Sequence, residues 1–434
     1  MNIRLTDIKT RPYQTFAAFY GFCLFLILVS APLRINLGAH IIRGDGFFYY
    51  VYARSLLFDR DLNFKNEYED FGPVVFGRNL FRPGTIHWPK NWKQYPENGF
   101  AMGSGILWLP FLVIAHLLTL LAGAIGFSLR PDGYSLFYEC AVGAAACFYS
   151  FLASVFLYRI ARSRFGESAS FWAVISFCTA TAWINYVVNE SSYCHTAELF
   201  TSSLVFWLIL RYRDIHKMSY KQAFLLGAAI GLSSLVRWQT VLWGIIPLFL
   251  CGTAFFRTPG KKTILIKTML LSGGAGLIFS PQLQAWKAIF GKYLLIPQGS
   301  SYLVFRLSPF WKILFSNNHG LFFWHPITAV AFGGVIWFLY STSGNNEVLL
   351  AGALVFILMV MVNCLPRDWW GNYSFGMRRM ICTYPLLVYG LAASLDHKKI
   401  TETTIFSGWL ILTVWNAVLL VLWSFSLSGE IFPH

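Results

Sequence analysis

The stretch FAAFYGFCLFLILVS, residues 16–30, is apolar without interruption, and shortly after the span it belongs to the chain reads GDGFFYY, residues 44–50. A run of that kind does not alternate polar and apolar positions as a barrel strand must, so within a bilayer its backbone can satisfy itself only as a helix. TTIFSGWLILTVWNAVLLV, residues 403–421, repeats the pattern near the other end of the chain. The first run follows Arg4, Lys9 and Arg11 and has only a weak small-residue cleavage pattern, so it reads as a spanning helix rather than a removable leader. Asp45 then falls at the membrane surface, at the start of a polar, aromatic-rich loop.

Hydrophobic residues make up 56% of the 434 and charged residues 12%, with a mean hydropathy of +0.54. The apolar residues gather in runs of roughly twenty, about the thickness of a bilayer. The expected fold class is therefore an all-α polytopic membrane protein. The eight cysteines are scattered, with Cys23, Cys147, Cys178 and Cys251 inside hydrophobic runs and no CxxC pair, so they read as small core residues. Cys364 and Cys382 flank one polar segment, and spacing alone does not say whether they meet. No soluble basic domain accompanies the net charge of +15, which excludes nucleic acid as a partner. No GxGxxG or Walker loop appears, and a nucleotide-sugar domain would need about a hundred residues outside the membrane.

Lys and Arg collect in the short connectors Tyr158–Arg164, Arg211–Lys221, Arg257–Lys262 and His397–Lys399, which the positive-inside rule places in the cytoplasm with the N-terminus. Spans are then expected near 14–34, 136–158, 169–188, 196–211, 222–236, 238–256, 263–283, 322–341, 348–363, 380–395 and 404–427, roughly eleven in all, with the C-terminus outside. Leu107–Phe127 is hydrophobic enough to span, but a full crossing there would carry Arg159, Arg162 and Arg164 to the outer face. It is expected to be a juxtamembrane helix on, or dipping into, the outer leaflet. Glu139 then lies near the outer end of the second span, facing either the loop or a wet cavity.

On this topology many basic residues face outward, among them Arg43, Arg82, Arg237, Arg378 and Arg379. Long loops tolerate such residues. Arg237, however, stands at the tip of a tight helical hairpin and Arg378-Arg379 beside a helix start, where phosphate is the natural partner of a guanidinium. The same loops carry His87-Trp88-Pro89-Lys90-Asn91-Trp92, Trp324-His325-Pro326 and Trp369-Trp370-Gly371-Asn372-Tyr373. An interfacial belt accounts for single tryptophans, whereas Asp, Asn, His and Arg interleaved with them also suit a pyranose ring, with its apolar face and rim of hydroxyls. Gly-Asp-Gly is ordinary turn chemistry as well as a candidate site. Asp59, Asp61, Glu67, Glu69 and Asp70 are expected to be mostly solvated, with Asp59 and Asp61 capping or positioning a loop helix.

Taken in order, GDGFFYYVYARSLLFDRDLNF (44–64), YPENGFAMGSGILWLPF (95–111), NESSYCHTAELF (189–200), GAAIGLSSLVRWQT (227–240), NNHGLFFWHP (317–326) and DWWGNYSFGMRRM (368–380) resemble the GT-C superfamily of membrane glycosyltransferases. The resemblance is to family 39-like proteins, related to aminoarabinose transferase and the protein O-mannosyltransferases. It implies a GT-C fold of about 11 (10–13) transmembrane helices, consistent with the hydropathy pattern. It implies a catalytic module at 1–285 with its outer loop at 35–135, followed at 286–434 by an outer loop with juxtamembrane helices and the C-terminal helices. The implied activity is inverting transfer of a sugar from a polyprenyl-phosphate donor to an acceptor hydroxyl of a lipid, glycan or protein, on the outer face of the cell's inner membrane.

In that resemblance Asp45 matches the acidic residue after the first helix and would be the general base. Glu190 and His195 fall in the region of a second acidic residue, with His195 at its position and Glu190 displaced five residues upstream. Arg82, Arg237, His319, Trp370, Arg378 and Arg379 are the expected carrier and phosphate ligands. Some relatives bind a divalent cation, and Asp45, Glu190, His195, His319 and His325 are donors of the right type. Gly46 nevertheless follows Asp45 where the O-mannosyltransferases have a second acid, and no HxxxH or HxH pair appears, so no metal is expected. The rival readings are a lipid-linked sugar transporter or flippase, and an O-antigen polymerase or ligase. Transporters bury their charges in the spans, and the polymerases and ligases carry their large outer loop late in the chain. Here the conspicuous charges sit in outer loops, and the largest loop follows the first helix.

Overall fold

A computed structural model describes residues 11–76, 96–257, 259–299, 301–342, 346–397 and 400–426. Arg82 and the His87–Trp92 cluster lie outside the described residues. Backbone facing lipid has no water to bond, and the regular elements among the described residues are helical apart from one isolated bridge between Leu303 and Pro366. In chain order the principal helices are α1 (Pro12–Asn36), α2 (Asp45–Arg54), α3 (Gly103–Ala124), α4 (Leu136–Arg162), α5 (Glu167–Thr179), α6 (His195–Arg211), α7 (Tyr220–Val236), α8 (Ile245–Arg257), α9 (Lys261–Phe290), α10 (Pro326–Ser341), α11 (Glu347–Cys364), α12 (Tyr384–Leu395) and α13 (Glu402–Ser426).

Seven stretches among the described residues are long and apolar enough to cross a membrane, fewer than the expected eleven. The remaining segments are short or interrupted. The expected span 169–188 breaks between Thr179 and Trp183, and 380–395 opens as a tight 3-10 turn over Arg378–Thr383 before α12. Such breaks leave backbone groups that only protein or water can satisfy; Asn416 donates to the Thr179 and Thr181 carbonyls, and the Arg378–Thr383 turn borders the site described below.

The basic connectors meet at one end of the bundle. The Gly166 N–H donates to Asp396 at 3.0 Å and the Ser168 hydroxyl to Glu402 at 3.1 Å. Lys267 donates to the carbonyls of Ile215 and His216 at 2.8 and 3.1 Å, and Arg257 pairs with Glu347 at 2.9 Å. At the opposite end Arg34, in the last turn of α1, donates to the carbonyls of Val188 and Asn189 at 3.2 and 3.1 Å. Glu139 there faces the loop: its carboxylate meets His40 Nδ1 and the Ile41 N–H, both at 2.7 Å.

The ambiguous 107–127 segment is α3. Tyr149 of α4 donates to the Leu107 carbonyl at 2.7 Å, and His116 bonds the Tyr138 hydroxyl at 2.8 Å. α3 therefore runs antiparallel to the first half of α4 and stops short of the end that bears Arg159 and Arg162. Val113, Ile114, Leu117, Leu118 and Leu121 are exposed along its outer side. Close approach also fixes α7 against α9, where Gly227 and Gly231 meet the backbones of Leu271 and Ala275, the small-residue packing that membrane helices favour.

The loop after α1 departs from expectation at one acid. Glu67 is fully buried, paired with Arg54 at 3.1 Å, and Arg54 also engages Asp59, donates to the Asp132 carbonyl at 3.1 Å and lies 4.7 Å from the Tyr134 ring centroid. One guanidinium thus gathers the loop, and the acid nearest its centre loses its water. Asp61 holds the Ser55 hydroxyl at 2.9 Å and the Asn63 N–H at 3.0 Å, which is a positioning role. Cys364 and Cys382 are both free and buried.

Candidate functional site

Gly44-Asp45-Gly46 is the start of α2. Gly44 sits in the left-handed region at φ 53, and a Cβ there would strike the Tyr193 hydroxyl. A Cβ on Gly46 would strike the Ser192 hydroxyl and approach the Ser192 carbonyl at 2.7 Å. The two bare positions let the first turn of α2 press onto residues 192–193, which a larger side chain would prevent. Asp45 is thereby held at a helix N-terminus, where the backbone dipole favours a carboxylate.

Asp45 opens onto a cavity of about 660 Å³. Its side chain is 32% exposed, and its Oδ2 lies 2.7 Å from Arg378 Nη1. Arg378 donates again to the Gly371 carbonyl at 3.1 Å and stands 5.3 Å from the Tyr193 ring centroid. Arg237 and Arg379 line the same cavity with Tyr49, Gln239, Tyr302 and Asp368. Each arginine has its own acid: Arg379 Nη2 meets Asp368 at 2.8 Å, and Arg237 Nε lies 3.3 Å from Glu198. Arg379 Nη1 and Asp368 Oδ1 are buried with no hydrogen-bond partner among the described residues. A guanidinium with a spare donor at a cavity wall is suited to an incoming anion. The other wall is apolar, built from Val241, Leu242, Leu295, Ile296, Leu303 and Leu365. Val241, Ile296 and Leu303 also reach the protein surface.

The remaining expected residues lie off the cavity. Glu190 is buried in the loop before α6 and accepts from Asn185 at 2.8 Å. Burial pushes its carboxyl up, against the pull of Arg43 and Arg378. His195, the first residue of α6, is buried with its Nδ1 2.8 Å from Glu198 and its ring 4.5 Å from that of Tyr186. It is linked to the cavity through Glu198 to Arg237 and through the Tyr193 ring to Arg378. His319 bonds the Trp370 carbonyl at 3.0 Å, and burial lowers it to about 4, so it is neutral at ordinary pH. Trp370 packs edge-on against Trp369. Neither His319 nor Trp370 lines the cavity.

Asp368, Tyr302, Gln239 and Glu198 were not anticipated. Asp368 opens the DWWGNYSFGMRRM run, and Glu198 lies one helical turn from His195; acids at those two spacings were the available signal.

Two of the candidate cation donors, Asp45 and Glu198, already face guanidiniums. Asp45 already holds a guanidinium at ion-pair distance. Cys194, His195 and Glu198 place one ligand atom each within 4.8 Å of one another, but the guanidinium of Arg237 stands 3.3 Å from Glu198 and 3.7 Å from the Cys194 sulfur. That positive charge would compete with an ion bound to these three donors.

No family model matches the sequence, and no curated protein matches it. Among solved structures, the fold is similar to the crystal structure of ArnT from Cupriavidus metallidurans bound to undecaprenyl phosphate, at 13% identity and a TM-score of 0.49, over 90% of this chain and 62% of that one. It is also similar to the archaeal oligosaccharyltransferase AglB from Archaeoglobus fulgidus in complex with an inhibitory peptide and a dolichol-phosphate, at 12% identity and a TM-score of 0.48, over 96% of this chain and 56% of that one. The apo form of the Archaeoglobus fulgidus oligosaccharyltransferase matches at 14% and 0.47, over 92% and 56%. The chain thus spans between 56% and 62% of the length of these three structures.

Proposed function

We propose that the chain is an inverting glycosyltransferase that moves a sugar from a polyprenyl-phosphate donor to an acceptor hydroxyl, with Asp45 as general base. One observation carries the reading: a single cavity joins a partly exposed carboxylate, arginines with an unused donor, and an apolar wall that reaches the lipid-facing surface. An amphiphile with a phosphate between a sugar and a prenyl chain matches all three.

In the reaction the acceptor oxygen attacks the anomeric carbon from the face opposite the phosphate. Its proton passes to Asp45 as the glycosyl carbon takes on oxocarbenium character, and the bond to the phosphate oxygen breaks with its electron pair. Arg379 Nη1 and the Arg237 guanidinium stabilise the charge that develops on that phosphate, which needs no general acid to depart. No metal enters this scheme, and the acceptor is a lipid, glycan or protein hydroxyl. The cavity lies at the end opposite the basic connectors, which supports an active site on the outer face of the cell's inner membrane.

The test is transfer by purified protein in nanodiscs, supplied with radiolabelled polyprenyl-phosphate sugars and membrane acceptors in the presence of a chelator. Wild type is expected to transfer, and Asp45→Asn to lose about a hundredfold to ten-thousandfold in rate while still binding carrier. Movement of labelled carrier across the bilayer without release of its sugar would replace this reading with a transporter.

A further inference from the structure

Ends of α4 and α6 far from the cavity form a second concavity, lined by Arg159, Arg162, Ser163, Trp207, Arg211 and Tyr212. His195 opens α6 beside the first site and Arg211 closes it, about 24 Å away along the helix axis. We propose that this concavity binds an anionic glycerophospholipid, and that it does so independently of any sugar transfer.

The charge pattern comes first. The guanidinium carbons of Arg159 and Arg211 lie 5.8 and 5.6 Å from the centroid of one indole, that of Trp207. Two like charges share one aromatic ring, with Arg162 beside them at the rim and no acid in the lining. Among the acids of the adjoining connectors, Asp214 pairs with Lys217 at 3.4 Å, Asp396 accepts from the Gly166 N–H and Glu402 from Ser168, while Glu167, in the first turn of α5, is not part of the lining. Gathered guanidiniums without a carboxylate repel one another, and a phosphate diester relieves that repulsion with bidentate geometry that lysine would not offer.

From Trp207, in the lining of the concavity, a file of aromatic rings continues between α4 and α6. Trp207 packs 5.3 Å from Phe156, Phe156 packs 6.1 Å from Phe200, and Phe200 packs 5.2 Å from Tyr149. Phe156, Phe200 and Trp207 are half-buried, so this file presents rings along the lipid-facing seam between α4 and α6. A headgroup phosphate at Arg159 and Arg211 would leave its acyl chains along the rings. A soluble phosphate would use the arginines and leave the file uncovered. Basic pockets between membrane helices at the cytoplasmic surface take anionic headgroups for these reasons.

Native mass spectrometry of the detergent-purified chain with phosphatidylglycerol, phosphatidylcholine and inorganic phosphate decides the matter. Phosphatidylglycerol is expected to bind about tenfold or more tightly than phosphatidylcholine, and millimolar inorganic phosphate is expected not to displace it. Arg159→Gln/Arg211→Gln should abolish the preference, and Arg211→Gln alone should halve it on a logarithmic scale. Arg257→Gln, at the same end of the bundle but outside the concavity, should leave it intact. Equal binding of the two lipids, an unchanged preference in the double variant, or full displacement by inorganic phosphate would each overturn the proposal.

Discussion

Asp45 Oδ2 and Arg378 Nη1 stand 2.7 Å apart, joining the start of α2 to the turn that opens α12. The acid is partly exposed and the guanidinium is buried, so the pair faces the cavity with its acidic side. Arg378 orients the carboxylate without covering it. Replacing Arg378 with Gln is expected to cost about 1–3 kcal/mol of stability, from a buried charge-assisted bond. Transfer should also fall, because the carboxylate loses its fixed direction. Thermal unfolding and single-turnover rates check both, and Arg378→Lys should restore more of the stability than of the rate.

Gly46 has no room to grow. Gly46→Ala is expected to push α2 off residues 192–193 and to displace Asp45, costing about 1–3 kcal/mol and most of the transfer rate while carrier binding persists. A variant that turns over at the wild-type rate would show that the close approach to Ser192 is dispensable.

Arg379 carries the unpartnered Nη1. Arg379→Ala should weaken carrier binding by about tenfold to a hundredfold, the worth of a charge-assisted hydrogen bond of about 1.5–3 kcal/mol. Equilibrium binding of a labelled polyprenyl phosphate measures this. Asp368→Asn, which frees the rest of the same guanidinium, should move affinity in the opposite direction or leave it unchanged.

Glu67 gives the loop between α2 and α3 a pH dependence. Burial raises its carboxyl to about 7, with Arg54 opposing. The folded chain therefore holds this proton at pH values where the unfolded chain has released it, and stability falls as pH rises from about 4.5 through 7, by at most about 3 kcal/mol. Thermal unfolding across that window should show a decline in wild type and a flatter profile in Glu67→Gln.

The long apolar helices were legible in the sequence because periodicity hardly matters when every position is hydrophobic. The breaks at Thr179–Trp183 and Arg378–Thr383 were not, since they are set by what packs beside them. Asp45, Arg237, Arg378 and Arg379 were legible as polar residues at the edges of apolar runs. Asp368 and Glu198 were not: each matters through its arginine partner, and sequence spacing does not reveal a pair such as Glu198 and Arg237. Glu67 read as solvated because its neighbours are acidic, and only the fold shows Arg54 closing over it.

The cavity's polar lining combines Asp45 with Asp368, Arg378 and Arg379, so its parts leave the ribosome far apart in time. At about 5–20 residues per second, roughly 20–70 s separate Asp45 from Arg378 during synthesis. Until the later segment is inserted, the first loop has neither its ion-pair partner nor an enclosed site. On the proposed reading a nascent chain threaded into the membrane is chemically silent until the 3-10 turn before α12 has docked.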